Sequence, residues 1–216
     1  MMRRIGVMGG MFDPVHRGHL AAALAAVEQL GLERLHLLPC ATPNHRDLAT
    51  ASSEHRLAML DLVSKAHPKL LVDDRELRRT GISYTVDSLA ELHQELPDVS
   101  LVFVQGWDSF LSLPGWHRWQ SLFDHAHLCA VSRPGVVWPP RSEDANNRLL
   151  RELLSARGAD SPETLFRRPV GGIYVLDGVN IDISSTDLRC RLREGADTSD
   201  WLEPPVRAYI AHHGLY

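Results

Sequence analysis

Short apolar runs separated by helical patterns constrain this chain more than any other feature. Ile5 to Met8, Leu35 to Leu38, Leu70 to Val72, Leu101 to Val104, Leu128 to Val131 and Ile173 to Leu176 each have the length and composition of a buried strand. Between most of them, apolar residues recur at helical spacing. Leu20, Leu24 and Val27 mark a first helix that stops at Gly31, and Leu57, Leu60 and Ser64 share one face of a second. A third carries Leu89, Leu92 and Leu96 ahead of Pro97, with Thr85 as its expected cap. Strands without polar alternation need cover on both faces. In this alternation with helices, that means a Rossmann-like α/β fold with a doubly wound parallel sheet.

A chain of 216 residues, 44% of them hydrophobic, can bury a sizeable core within one domain. Residues 1–182 are expected to form the Rossmann-like core. Residues 183–216 add a small helical part, with a helix through Arg193, a turn at Gly195 and a last helix from Pro204 to His213. The segment Arg133 to Pro140 reads as a loop leading to a polar helix around Ala145 to Ala156, a surface excursion. A net charge of −4 argues against a general nucleic-acid binder but leaves room for a local basic pocket. Arg3 and Arg4 precede an apolar run, yet Gly9, Gly10, Asp13, His16 and His19 interrupt any signal-peptide core, and no stretch is long enough to span a bilayer. Cys40, Cys129 and Cys190 lack metal-type spacing, so a reducing, cytoplasmic setting with free thiols is expected.

In open parallel sheets ligands bind beyond the carboxyl ends of the strands. The first such segment here, Gly9 to His19, is a glycine-rich turn into a helix. Glycines let a phosphate approach the main chain, helix N-terminal amides attract anions, and imidazoles three residues apart share a face. A pair of histidines near a helix start is also compatible with capping or with metal binding. A zinc site would need a third protein ligand, and none stands at a suggestive spacing. The glycines at 6, 9 and 10 do not fit the GxGxxG spacing of dinucleotide-binding dehydrogenases. Far along the chain, Ile183-Ser184-Ser185-Thr186-Asp187-Leu188-Arg189 opens another helix with three hydroxyl residues and an arginine. Such a start is an ordinary cap, or a polyphosphate site built from amides, hydroxyls and a guanidinium. Two such starts in one domain suggest a nucleoside triphosphate.

At these residues the chain resembles the nucleotidyltransferase superfamily marked by a GxFxPxHxGH turn and a later ISSTxxR segment. Within it, Pro43 to Arg46, Ser83-Tyr84-Thr85, Gly106-Trp107-Asp108, Pro114-Gly115-Trp116 and the ending Tyr209 to Tyr216 are similar to the bacterial nicotinate mononucleotide adenylyltransferases. The similarity covers nearly the whole chain outside roughly residues 136–168. Met11 stands where Thr or Ser is common, Asn44 where a second Pro is common, and Trp107 where a Gln or Ala-like residue is common.

The resemblance implies adenylyl transfer from ATP to nicotinate mononucleotide, giving nicotinate adenine dinucleotide and pyrophosphate in NAD biosynthesis. It implies Mg²⁺ arriving with ATP, with no metal ligand assigned to the protein and no tightly bound organic cofactor. It implies neither nucleic-acid nor membrane partners and leaves monomer or homo-oligomer open. His16, His19 and Arg189 take the catalytic positions. ATP is expected at Gly9, Gly10, Met11, Phe12, His16, His19, Gly106, Asp108, Ile183, Ser184, Ser185, Thr186 and Arg189, with Asp108 suited equally to a ribose hydroxyl or to helix capping. The acceptor is expected at Asn44, His45, Arg46, Ser83, Tyr84, Thr85, Trp116 and Arg133, with Trp116 stacking on the pyridine ring. Asp13 fits either a bridging Mg²⁺ or a turn cap. Adenylylation of nicotinamide mononucleotide or phosphopantetheine, a non-catalytic nucleotide sensor and a histidine-rich metal binder are the competing readings.

Overall fold

The computed structural model describes residues 2–43, 49–132, 144–179 and 183–216. Its strands are β1 (Arg3–Gly10), β2 (Arg34–Pro39), β3 (Leu70–Val72), β4 (Val99–Gly106), β5 (His127–Val131), β6 (Gly158–Ala159) and β7 (Ile173–Leu176). They form one sheet in the order β3-β2-β1-β4-β5-β7-β6, with every pairing parallel. The chain starts in the middle of the sheet, moves outward through β2 to β3, and returns to place β4 on the other side of β1. Val7 of β1 is therefore paired with both His36 of β2 and Phe103 of β4. The carboxyl ends of β1 and β4 flank the point where the strand order reverses, the place where such sheets leave a crevice.

The helices are α1 (Arg17–Gln29), α2 (Ser53–Ala66), α3 (Arg75–Arg78), α4 (Thr85–Glu95), α5 (Trp107–Leu111), α6 (Ala145–Arg157), α7 (Pro162–Leu165), α8 (Ser185–Arg193) and α9 (Pro204–His213). Two apolar layers result, and β4 shows why. Its Val102 and Val104 face a cluster containing Leu20 and Val27 of α1, Met59 and Val63 of α2, Leu188 of α8, and Val206 and Ile210 of α9. The alternate residues Leu101 and Phe103 face a second cluster with Leu89 and Leu92 of α4 and Phe110 of α5. A strand covered on both sides has no polar alternation, so β4 is one apolar run from Leu101 to Val104. The helices after Ile183 thus belong to the same packed body as α1 and α2. Among the described residues, no helix is long and apolar enough to cross a membrane.

The expected α/β class and all six expected strands are present, several of them longer by one to four residues. Sequence periodicity missed β6, α3 and α7, each too short to display a period. Two details are corrected. Thr85 does not cap α4; Tyr84 occupies that position with extended backbone, and no side chain bonds to the first amides. The buried face of α2 is Arg56, Met59, Leu60 and Val63, with Leu57 and Ser64 only half-buried. The reason is Arg56, a charged residue on the inner face, which shifts the buried stripe away from the one apolarity alone suggests.

His127 of β5 is fully buried, and its Nδ1 accepts the Gly172 amide at 3.1 Å. Burial pushes its pKa from 6.5 down to about 4. The unfolded chain binds this proton below pH 6.5, whereas the folded chain resists it until about 4. Stability from keeping His127 neutral is therefore complete above the upper value and lost as pH falls toward the lower, by about 3 kcal/mol in all. Urea denaturation across that interval should show the decline, and His127→Asn should flatten its slope.

Candidate active site

Strand β1 ends at Gly10, and the turn after it is held by packing. Phe12 takes a left-handed φ of 48° with its ring 1% exposed. A Cβ on Gly10 would lie 3.1 Å from that ring, a tight approach that glycine avoids. His16 is the extended N-cap of α1. Its Nδ1 accepts the His19 amide at 3.4 Å, while His19 Nδ1 accepts the His16 amide at 3.3 Å. The two rings stack with centroids 3.7 Å apart. A nitrogen that accepts an N–H carries no proton, so each imidazole holds its proton on Nε2. This reciprocal capping box presents two ring N–H donors at the positive end of a helix dipole.

The carboxylate of Asp13 ties this turn to the rest of the protein. It is 4% exposed and accepts the amides of Thr50 at 2.7 Å and Ala51 at 3.0 Å. The hydroxyl of the C-terminal Tyr216 donates to it at 2.8 Å. Arg189 of α8 donates Nη1 to the Asp13 carbonyl at 2.8 Å and lies 3.7 Å from the carboxylate. Arg56, 2% exposed, reaches from α2 to donate to the carbonyls of Met11 and Cys40, both at 2.8 Å. At the start of α8, Ser184 caps through its hydroxyl, accepting the Asp187 amide, and Thr186 Oγ1 accepts Arg189 Nη2. Of the two readings of Asp13, the structure favours the turn-holding one.

Two cavities meet along the carboxyl edge of the sheet. The larger, about 590 Å³, is walled by the β1–α1 turn, by His16 and His19, by Gly106 and by Ile183 to Thr186 and Arg189. The smaller, about 340 Å³, is walled by Ser83 to Val86, Glu76, Cys40 and His117. Gly9, Gly10, Met11, Phe103, Ser109 and Trp116 line both, so the two are halves of one cleft. Trp116 is steadied at their junction by a 3.1 Å bond from Nε1 to Ser112 Oγ and by an edge contact with Phe103. Trp107, by contrast, is 4% exposed and packs on Phe110 in the core. At the far wall Tyr84 stacks on His117 with centroids 4.1 Å apart.

Every described residue expected at the nucleotide lines the larger half except Asp108. Asp108 is an exposed residue in the first turn of α5, whose N-cap is Gly106. It therefore does not cap the helix. Ser83, Tyr84, Thr85 and Trp116 line the smaller half. Asn44, His45, Arg46 and Arg133 lie outside the described residues. Sequence reasoning missed Arg56, Glu76 and Tyr216. An arginine among the inner-face positions of α2 was the available signal for the first, while the other two carry no local signature.

The cytidylyltransferase-like family matches residues 7–191. A protein of Aeromonas hydrophila named "Probable nicotinate-nucleotide adenylyltransferase" is 45% identical over 98% of this chain and 96% of its own length. One of the same name from Pseudomonas putida is 43% identical over 100% of this chain and 95% of its own. The chain belongs to the nicotinate-nucleotide adenylyltransferases of the cytidylyltransferase-like family. The fold agrees. The Plasmodium falciparum nicotinic acid mononucleotide adenylyltransferase solved with NaAD superposes with a TM-score of 0.73 at 18% identity, covering 99% of this chain and 97% of the other.

In this adenylyltransferase, burial and the neighbouring Asp13 carboxylate raise the Tyr216 pKa, which keeps the phenol a donor. Tyr216→Phe leaves a buried carboxylate one donor short and should cost about 1–2 kcal/mol in denaturant unfolding. Steady-state kinetics should show a raised KM for ATP with kcat less affected, because Asp13 no longer positions Arg189 as firmly.

Proposed function

We propose that the cleft transfers the adenylyl group of ATP to nicotinate mononucleotide, releasing pyrophosphate and nicotinate adenine dinucleotide. One observation carries this reading. The N-termini of α1 and α8, with two Nε2–H imidazoles and Arg189, converge on one half of a cleft whose other half is walled by Trp116 and the start of α4. The first half has the chemistry of a polyphosphate site. The second has an aromatic face and, in the amides of Thr85 and Val86, a helix start with no side-chain cap to compete for an anionic ring substituent.

The acceptor's phosphate monoester is largely ionised at neutral pH, so no general base is needed. One of its oxygens attacks the α-phosphorus of ATP, the bond from that phosphorus to the bridging oxygen breaks, and pyrophosphate departs with the electron pair. His16 and His19 donate to phosphate oxygens as negative charge moves toward pyrophosphate. Arg189 and the α8 amides hold the leaving end, and Gly9 and Gly10 let the phosphates lie against the main chain. Trp116 stacks on the pyridine ring. Mg²⁺ enters with ATP as part of the substrate and supplies further charge neutralisation. Among the described residues no group of three or more His, Cys, Asp or Glu side chains could hold a metal ion, and Asp13 is committed to the turn. The whole chain, residues 1–216, serves as one domain in this reading.

Incubation with ATP and Mg²⁺, offering nicotinate mononucleotide, its amide analogue and phosphopantetheine separately, tests the assignment through pyrophosphate release. Release should be fastest with nicotinate mononucleotide, and silence with all three would sink the reading. His19→Ala should lower kcat by about 10² or more, the loss of one transition-state donor. An unchanged kcat would remove His19 from the catalytic set.

A further inference from the structure

The half of the cleft assigned to the acceptor contains an acid that the reaction does not use. Glu76 of α3 is 6% exposed and lines this half beside Ser83, Tyr84 and Thr85. It is the one carboxylate among the described lining residues, which include neither lysine nor arginine. Its Oε1 accepts the Ser88 hydroxyl of α4 at 2.7 Å. Arg79 lies 4.0 Å from the same oxygen, but its guanidinium also serves Ser88 Oγ and, at 3.0 Å, Glu91 of α4. Asp73, just ahead of α3, adds negative charge, itself held by His36 and Arg75. His117, stacked on Tyr84, lines the same half. Ionised Glu76 thus sets a negative charge, met among the described residues by Ser88, Ser83 and Arg79, at the wall of a cavity that is to receive a second anion.

We propose that Glu76 is a specificity-determining residue for the acceptor: protonated, it admits an anionic ring substituent, and ionised, it repels one. This rests on the assigned reaction, since nicotinate carries a carboxylate on its ring where nicotinamide carries a neutral amide. Burial raises the pKa of Glu76 against the opposing hydrogen bonds from Ser88 and Ser83 and the charge of Arg79. The substrate carboxylate stays ionised throughout that range. Two like charges at one cavity wall oppose each other, so preference for the acid is greatest at low pH and declines as Glu76 loses its proton.

The test is the ratio of kcat/KM for nicotinate mononucleotide to that for nicotinamide mononucleotide, followed from about pH 5, just above the ordinary carboxyl range, to about pH 8. Both acceptors share the phosphate, whose own titration cancels in the ratio. The wild-type ratio should fall on the order of tenfold as pH rises. Glu76→Gln keeps an acceptor for Ser88 and removes the charge, and should hold the ratio flat near its low-pH value. A flat wild-type ratio, or an unchanged slope in Glu76→Gln, overturns the proposal, as does a variant that weakens both acceptors alike with the slope intact. Calorimetry on the wild type in buffers of different ionisation enthalpy gives a second reading: binding of the acid should take up more protons than binding of the amide. Equal uptake counts against it. Absence of pyrophosphate release with both acceptors would overturn the assigned reaction, while the calorimetric comparison would still report on Glu76.

Discussion

The Asp13 carboxylate is the contact on which the rest of the cleft depends. It gathers two amides from the segment leading into α2, the phenol of the last residue and the neighbourhood of Arg189 onto one short turn between β1 and α1. A buried carboxylate is costly to strand, so each donor is held in place by the penalty for losing it. Parts of the chain separated by up to 203 positions are thereby brought to the point where β1 opens into its helix. Arg56 reinforces the arrangement from beneath by closing the carbonyls of Met11 and Cys40.

Around that anchor the cleft divides into ends of different chemistry. Strands β1 and β4 lie side by side at the reversal of strand order, and the helices on the two faces contribute separately. The face covered by α1, α8 and α9 brings two helix N-termini, two histidines and an arginine. The face covered by α4 and α5 brings an uncapped helix start and the Trp116 ring. Phosphates suit the first and an aromatic ring suits the second. The doubly wound sheet is thus what joins the two halves of the cleft over Gly9 and Gly10.

The alternation of apolar runs made the α/β class and the main strands legible, because strands buried on both faces leave that mark whatever surrounds them. The turn from Gly9 to His19 and the segment from Ile183 to Arg189 were legible as phosphate-binding helix starts, because capping is local chemistry. Asp108 shows the limit of such reasoning. Its place after β4 suited a helix cap as well as a ribose contact, yet Gly106 holds the cap position of α5 and Asp108 stands exposed in the first turn. Glu76 illustrates the opposite failure, since nothing beside it in the chain marks a four-residue helix as part of a cavity wall.

The sequence by itself determined the six longer strands, where the two glycine- and hydroxyl-rich helix starts fall, and that both belong on one sheet edge. These follow from periodicity and capping, which depend on residues within a few positions of one another. Only the tertiary structure decided that His16 and His19 stack as mutual caps with Nε2 left as donor. It alone gave Asp13 the amides of Thr50 and Ala51 as partners, and brought Tyr216 and Arg189 to the first turn. Those outcomes depend on which side chains lie within hydrogen-bond reach after the chain has doubled back, and sequence spacing carries no record of such distances.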